Sequence, residues 1–215
     1  HKFYGNIAKV NRIPTFTDLY YVSKTEAGNP GLKPEHAVAA ELGYRYQINN
    51  FVGKVSGFLR NSDNSIDWVK QNVNDIWRAE NIGEIDTKGI EVELGQHFEW
   101  FVKSYSLGYT FLESKNSQPQ NLMSRYVMEN LKHQFVAKLE NRFFKNLTNQ
   151  LIYRYNERVT TGSYQTLDEK LSYDFQNLNL YILINNITNT EYTETFGIPM
   201  PKRWFHVGFT YKIGL

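Results

Sequence analysis

Apolar and polar residues alternate along most of this chain with a period of two. The clearest stretch is 204–213, where Phe205, Val207, Phe209, Tyr211 and Ile213 share one face and Trp204, His206, Gly208, Thr210 and Lys212 share the other. A period of two is the signature of a strand whose faces meet different surroundings. The same pattern sets Val38, Ala40, Leu42, Tyr44, Tyr46 and Ile48 against Ala39, Glu41, Gly43, Arg45 and Gln47. It recurs in Ile90, Val92 and Leu94 against Glu91 and Glu93, and in Tyr105, Leu107, Tyr109 and Phe111 against Ser104, Ser106, Gly108 and Thr110. Weaker cases bring the expected total to about ten strands, near 2–11, 37–48, 51–62, 82–95, 100–113, 131–142, 147–157, 164–175, 178–187 and 201–213. No stretch carries convincing helical periodicity.

The connections alternate short and long. Short ones fall at Asn49–Asn50, Gln96–Trp100, Phe144–Asn146 and Gln176–Asn177. Long ones run over 12–36, 63–81, 114–130, 158–163 and 188–200, the fourth only modestly long. Tight turns at one end and long loops at the other describe an outer-membrane barrel, whereas a soluble sandwich has no reason to sort its loops by parity. An even strand count puts both chain ends on the short-turn side.

Composition narrows this further. The chain of 215 residues is nearly neutral at +2, so nothing points to nucleic acid, and its 15% aromatic content is high. With no cysteine, a disulfide framework, a thiolate metal site and a cysteine nucleophile are excluded. No apolar run approaches the ~18 residues of a membrane-spanning helix, and the start, HKFYGNIAKV, is not a signal peptide. Many expected strands reach the ~9–11 residues that cross a bilayer at a tilt, and Tyr, Phe and Trp gather near their ends. The polar faces mix small and charged residues, as a water-filled lumen tolerates. Lys103 and Glu169 fall in the apolar phase and would have to sit near a membrane interface, because charge at mid-bilayer is costly. The rival reading is a soluble β-sandwich or small-barrel binding module, in which the same apolar faces form a core.

Specific residues then become recognisable. Arg12, Pro14, Leu19 and Tyr20, followed by Asn29, Pro30, Leu32, Lys33, Pro34, Glu35, Glu41 and Gly43, resemble a segment of the barrels of TonB-dependent outer-membrane receptors. The stretch Gly89–Leu94 is similar to that family's Gly-x-Glu-x-Glu strand. Asn186, Asn189, Tyr192, Gly197, Pro199, Pro201 and Arg203 resemble its last two strands and the loop between them. Two departures stand out: Lys202 replaces the usual Gly, and the chain ends KIGL rather than on an aromatic residue. The resemblance implies an all-β, antiparallel transmembrane barrel of about 22 strands filled by a plug. Residues 1–215 would be its C-terminal portion, with the plug and first strands elsewhere in a longer receptor. The activity it implies is energy-coupled import of a scarce nutrient, cobalamin or a ferric siderophore, across the outer membrane of a Gram-negative bacterium. The implied partners are the receptor's own plug, the TonB complex acting through the N-terminal part, and outer-membrane lipid.

No catalytic constellation stands out. The histidines are scattered, no nucleophile elbow exists, and Glu91 and Glu93 read better as a polar lumen wall than as an acid–base pair. An outer-membrane hydrolase would need Ser, His and a carboxylate gathered at one rim, and none is visible. Asp63, Ser65 and Asp67 faintly resemble an oxygen-ligand calcium loop, but the spacing lacks the Gly and distal Glu, so a solvated turn is the better reading. Neither cofactor nor resident metal is expected. For ligand contact the candidates are loop aromatics, Tyr20, Tyr21, Trp68, Trp77, Tyr126 and Tyr192, with Tyr164 and Phe196 nearby and Lys24, Lys70, Arg78 and Arg125 as accompanying bases. The alternative is that these rings form an interfacial girdle or pack the loops together.

Overall fold

The alternating stretches become the strands of one sheet. The computed structural model describes residues 1–116, 122–126, 131–195 and 198–213. In chain order the elements are β1 (Lys2–Arg12), α1 (Phe16–Tyr20), β2 (Glu26–Ala27), β3 (Glu35–Ile48), β4 (Phe51–Asp63), β5 (Ile66–Lys70), β6 (Trp77–Asn81), β7 (Ile85–His97) and β8 (Val102–Asn116). They continue with β9 (Met123–Ser124), β10 (Leu131–Phe144), β11 (Leu147–Arg158), β12 (Gly162–Phe175), β13 (Leu178–Asn185), β14 (Thr193–Thr195), β15 (Ile198–Pro199) and β16 (Trp204–Tyr211).

The main sheet has ten strands in the order β1-β3-β4-β7-β8-β10-β11-β12-β13-β16, every neighbouring pair antiparallel. It is a meander whose two edges, β1 and β16, are open among the described residues. Two-residue turns close three hairpins at the short-turn end, and Asn49 and Gln176 take left-handed φ values of 48° and 52° there.

The two faces differ as the alternation requires. Ile7 (81% exposed), Leu42 (70%), Leu59 (62%), Phe205 (63%) and Val207 (80%) are exposed on the apolar face, which packs against nothing among the described residues. The polar face holds buried Ser56, Asn156 and Thr166. It also carries a repeated packing device. Tyr4 lies directly across from Gly43, Phe58 from Gly89 and Tyr181 from Gly208, and a Cβ on any of these glycines would collide with the facing ring. An aromatic ring covering a cross-strand glycine fills the missing side-chain volume and pins the register.

The core lies among the long loops. A second sheet, ordered β2-β6-β5-β9, rises from that end. Leu32, Ile66, Trp68, Trp77 and Ala79 form one buried cluster against Leu19 and Met123. Val69, Ile82 and Ile85 form another against Leu122.

Four expectations need correction. The stretch 63–81, read as a loop, contains β5 and β6, paired from Ile66↔Asn81 to Val69↔Arg78. A helix does form at Phe16–Tyr20, because the Thr15 hydroxyl caps the Asp18 N–H while Asp18 reaches back to the Thr15 N–H. The connection expected as long at 158–163 is tight: Arg158 pairs with Gly162, whose φ of +79° completes the turn. Lys103 does sit at a strand end, but Glu169 lies mid-strand in β12, where Asn149 donates to it at 2.6 Å.

Candidate functional site

The residues of the first motif assemble into one polar clasp under the loop sheet. Pro14 leads into the Thr15 cap, and the short helix presents Asp18, which is 4% exposed. Asp18 accepts from Arg12 at 3.0 Å, from the Thr15 hydroxyl at 2.8 Å and N–H at 3.0 Å, and from the Trp68 indole at 3.2 Å. Burial opposes its ionisation, but the Thr15 bonds, the Trp68 bond and the Arg12 charge outweigh that, holding its carboxyl below the ordinary Asp range. Arg12 also donates to the Ile66 carbonyl at 3.2 Å and lies 3.7 Å from Glu35. Glu35, at the start of β3, accepts from Arg60 and from the Ile66 N–H. The clasp thus ties β1, α1, β3, β4 and β5 together.

Asn29, Pro30 and Pro34 shape the chain between helix and strand. The Asn29 N–H donates to the Asp18 carbonyl at 2.8 Å, and its side chain receives the Gly31 N–H at 2.9 Å. Leu32 is thereby delivered to the core cluster. Gly28 approaches the helix so closely that a Cβ would lie 2.9 Å from the Asp18 carbonyl oxygen. Glu41 shares the polar face with Asn6, its cross-strand partner, and Gly43 receives the Tyr4 ring.

The second motif closes the loop between β13 and β16. Asn186 is 3% exposed with φ +51°; its side chain donates to the Thr190 and Pro201 carbonyls and accepts from the Thr188 hydroxyl and the Thr190 N–H. Arg203 donates twice to the Ile187 carbonyl, at 3.0 and 2.6 Å, and its N–H reaches the Asn189 side chain at 3.2 Å. Lys202, the departure from the family pattern, pairs with Glu191 and lowers that carboxyl's pKa. Pro199 is exposed in β15. Phe196, Gly197 and the terminal Gly214 and Leu215 lie outside the described residues.

The candidate ligand aromatics separate into buried and free. Trp68 (7% exposed) and Trp77 (8%) are core residues of the loop sheet. Trp77 is flanked by Lys70 at 4.8 Å and Arg125 at 4.6 Å, and Arg125 is held by Glu26 at 2.5 Å. Tyr20, Tyr21 and Tyr126 are exposed. Tyr126 lines a cleft of about 590 Å³ between the loop sheet and the polar face, together with Arg12, Glu35, Glu41, Arg60 and Ile66. Tyr192 stands apart from this group, stacked on Tyr164 at 4.3 Å; burial, then Glu194, raises its pKa. Tyr164 donates to Glu194 at 2.9 Å.

Sequence reading missed Asp18, Glu26 and Arg60, and it placed Asp67 in a solvated turn where the structure buries it. Thr-x-x-Asp at Thr15–Asp18 was the available signal for the first. Asp67 is 1% exposed; it accepts from Ser124 and the Tyr126 N–H, pinning β9 to β5, while Asp63 turns to Asn64. The two carboxylates of the suspected calcium loop therefore serve different partners. Among the described residues, no three His, Asp or Glu side chains are grouped to hold a metal. No helix among the described residues is long and apolar enough to cross a membrane.

Comparison with known proteins gives three findings. The family described as TonB dependent receptor-like, beta-barrel matches residues 1–187. Two relatives from Vibrio vulnificus, each a vitamin B12 transporter, are 26% identical over 84% of this chain (strain YJ016) and 28% identical over 94% (strain CMCP6). The chain spans only 29% and 32% of their lengths. Among solved structures, the copper transporter OprC superposes with a TM-score of 0.74 at 14% identity, over 94% of this chain and 36% of that one. The siderophore receptor PirA of Pseudomonas aeruginosa superposes at 0.69 and 19% identity, over 97% and 36%. At such identities the likeness establishes the fold alone.

Proposed function

The chain belongs to the TonB dependent receptor-like β-barrel family, and from that premise we propose that it supplies the C-terminal strands of an outer-membrane receptor that imports cobalamin. The observation that carries the ligand is the sequence likeness to two vitamin B12 transporters across 84% and 94% of the chain. In this reading the apolar face meets lipid, because a contiguous apolar surface over ten strands far exceeds what a soluble monomer exposes. The polar face lines the lumen against a plug carried elsewhere in the receptor, through which the TonB complex acts. The short turns face the periplasm and the loop sheet faces outward.

Within the loops, Tyr20, Tyr21 and Tyr126 offer free aromatic surface for a bulky, partly apolar ligand. Trp68 and Trp77 hold the platform that presents them, and Tyr192 with Tyr164 forms a second stacked surface. A ferric siderophore is the other ligand class. The test is saturable binding of radiolabelled cyanocobalamin to outer membranes, with and without the gene. Binding that disappears with the gene is expected. Binding of ferric siderophores in its place would overturn the cobalamin assignment and leave the import reading intact.

A further inference from the structure

The short connections are chemically unequal. Asn49–Asn50 and Gln176–Asn177 carry no charge, whereas the connection after β7 holds Phe98, Glu99, Trp100 and Phe101 and the one after β10 holds Lys145 behind the Phe143–Phe144 pair. Trp100 is 78% exposed and Phe144 73%, with Phe101 and Phe143 exposed beside them. These two connections are neighbours, because β8 pairs with β10. The Phe101 and Phe143 rings meet edge to face at 5.4 Å, and the Arg142 N–H donates to the Phe101 carbonyl at 2.8 Å. The result is one aromatic patch at the rim of the apolar face.

Positive charge collects at the same place. Lys103 follows the first connection and Lys145 lies in the second, while Arg142 shares the polar face with Thr148. Neither Lys103 nor Lys145 takes part in an ion pair among the described residues, and Glu99 is the acid set between them in the first connection. By contrast, two bases toward the loop end, Lys88 of β7 and Lys115 of β8, are both paired with Glu113. Free cations among exposed rings match a surface that is apolar inside and anionic at its boundary.

We propose that this patch binds anionic glycerophospholipid in the leaflet facing the short-turn end. Trp100, Phe101, Phe143 and Phe144 seat at the boundary of acyl chain and head group, and Lys103 and Lys145 hold the phosphate. The proposal rests on the reading that the apolar face meets lipid, so its test separates the two.

The intact receptor is reconstituted in phosphatidylcholine vesicles containing a minor fraction of brominated phosphatidylglycerol or, in parallel, brominated phosphatidylcholine. The difference between wild type and Trp100→Phe isolates the Trp100 emission. The brominated anionic lipid is expected to quench Trp100 with an association constant higher by at least about fivefold, the effect of one base near an anionic surface. Lys103→Gln with Lys145→Gln moves that ratio toward one while quenching persists. Equal quenching by the two lipids in the wild type overturns the site. A Val207→Trp reporter on the apolar face reads the premise. Quenching there without quenching at Trp100 removes the patch from the bilayer, as a protein partner covering it would, and overturns the proposal alone. Quenching at neither position overturns the lipid reading as well.

Discussion

At the scale of single residues, the family motif works as construction chemistry. Asp18 is the centre of the first clasp, and its lowered pKa carries a sign that can be tested. A carboxyl whose folded pKa lies below its unfolded value, about 3.9, contributes stability above that value and loses it as pH falls through the folded pKa. The loop segment 13–34 of the wild-type receptor is therefore expected to become protease-sensitive below about pH 4. Asp18→Asn should already be loosened at pH 7, by about 1–3 kcal/mol for a lost cap and a weakened buried bond, and should show no further acid step. Limited proteolysis across pH checks both statements. Gly43 tests the aromatic cover in the same way. Gly43→Val forces the Tyr4 ring off the sheet and should destabilise by about 1–3 kcal/mol, as overpacking does. Adding Tyr4→Ala should recover part of that loss in a double-mutant cycle, since the clash is pairwise. Additive losses would mean that the ring does not depend on the glycine.

At the scale of elements, the long strands were legible because alternation survives wherever one face is apolar and the other polar. All ten expected strands correspond to strands of the main sheet, with ends shifted by a few residues. The loop sheet was illegible for the complementary reason. β5 is buried at Ile66, Asp67, Trp68 and Val69 alike, so neighbouring residues do not divide into wet and dry faces. Its Asp67 reads as a loop residue until Ser124, distant in sequence, is seen to satisfy it. The aromatics of the candidate site were legible as a group but not individually, because period and composition cannot tell a ring that builds a platform from one that stands free on it. Glu169 marks the limit of the alternation in the other direction. Its carboxylate stands in the apolar phase of β12, bonded to the 3% exposed Asn149. Removing the carboxylate alone, by Glu169→Leu, trades its cost on a lipid face, at most about 2–4 kcal/mol, against an orphaned amide costing about 1–3 kcal/mol. That single change should be near neutral in urea unfolding of the vesicle-inserted receptor. Glu169→Leu with Asn149→Leu removes both terms and should be stabilising by about 1–3 kcal/mol. Destabilisation of the double variant would show that the pair has a partner on that face.

At the scale of the whole molecule, the determining feature is the pair of open edges. β1 presents 11 residues and β16 presents 8 whose outward N–H and C=O groups have no strand beside them among the described residues. In water such edges template aggregation, and in lipid each unsatisfied group costs several kcal/mol. In the proposed reading, the exposed apolar face disfavours the ten strands alone in water and the open edges disfavour them alone in lipid. Closure by further strands satisfies both at once, as the spans of 29% and 32% of the related transporters would allow. The 215-residue chain refolded alone into vesicles is thus expected to give no SDS-resistant, heat-modifiable band, whereas the receptor that contains it should give one. A resistant band at twice the chain's mass would mean that two copies had closed each other's edges. A resistant band at the mass of one chain, 25.2 kDa, would mean that the sheet curls shut on itself, and the edge argument would be wrong.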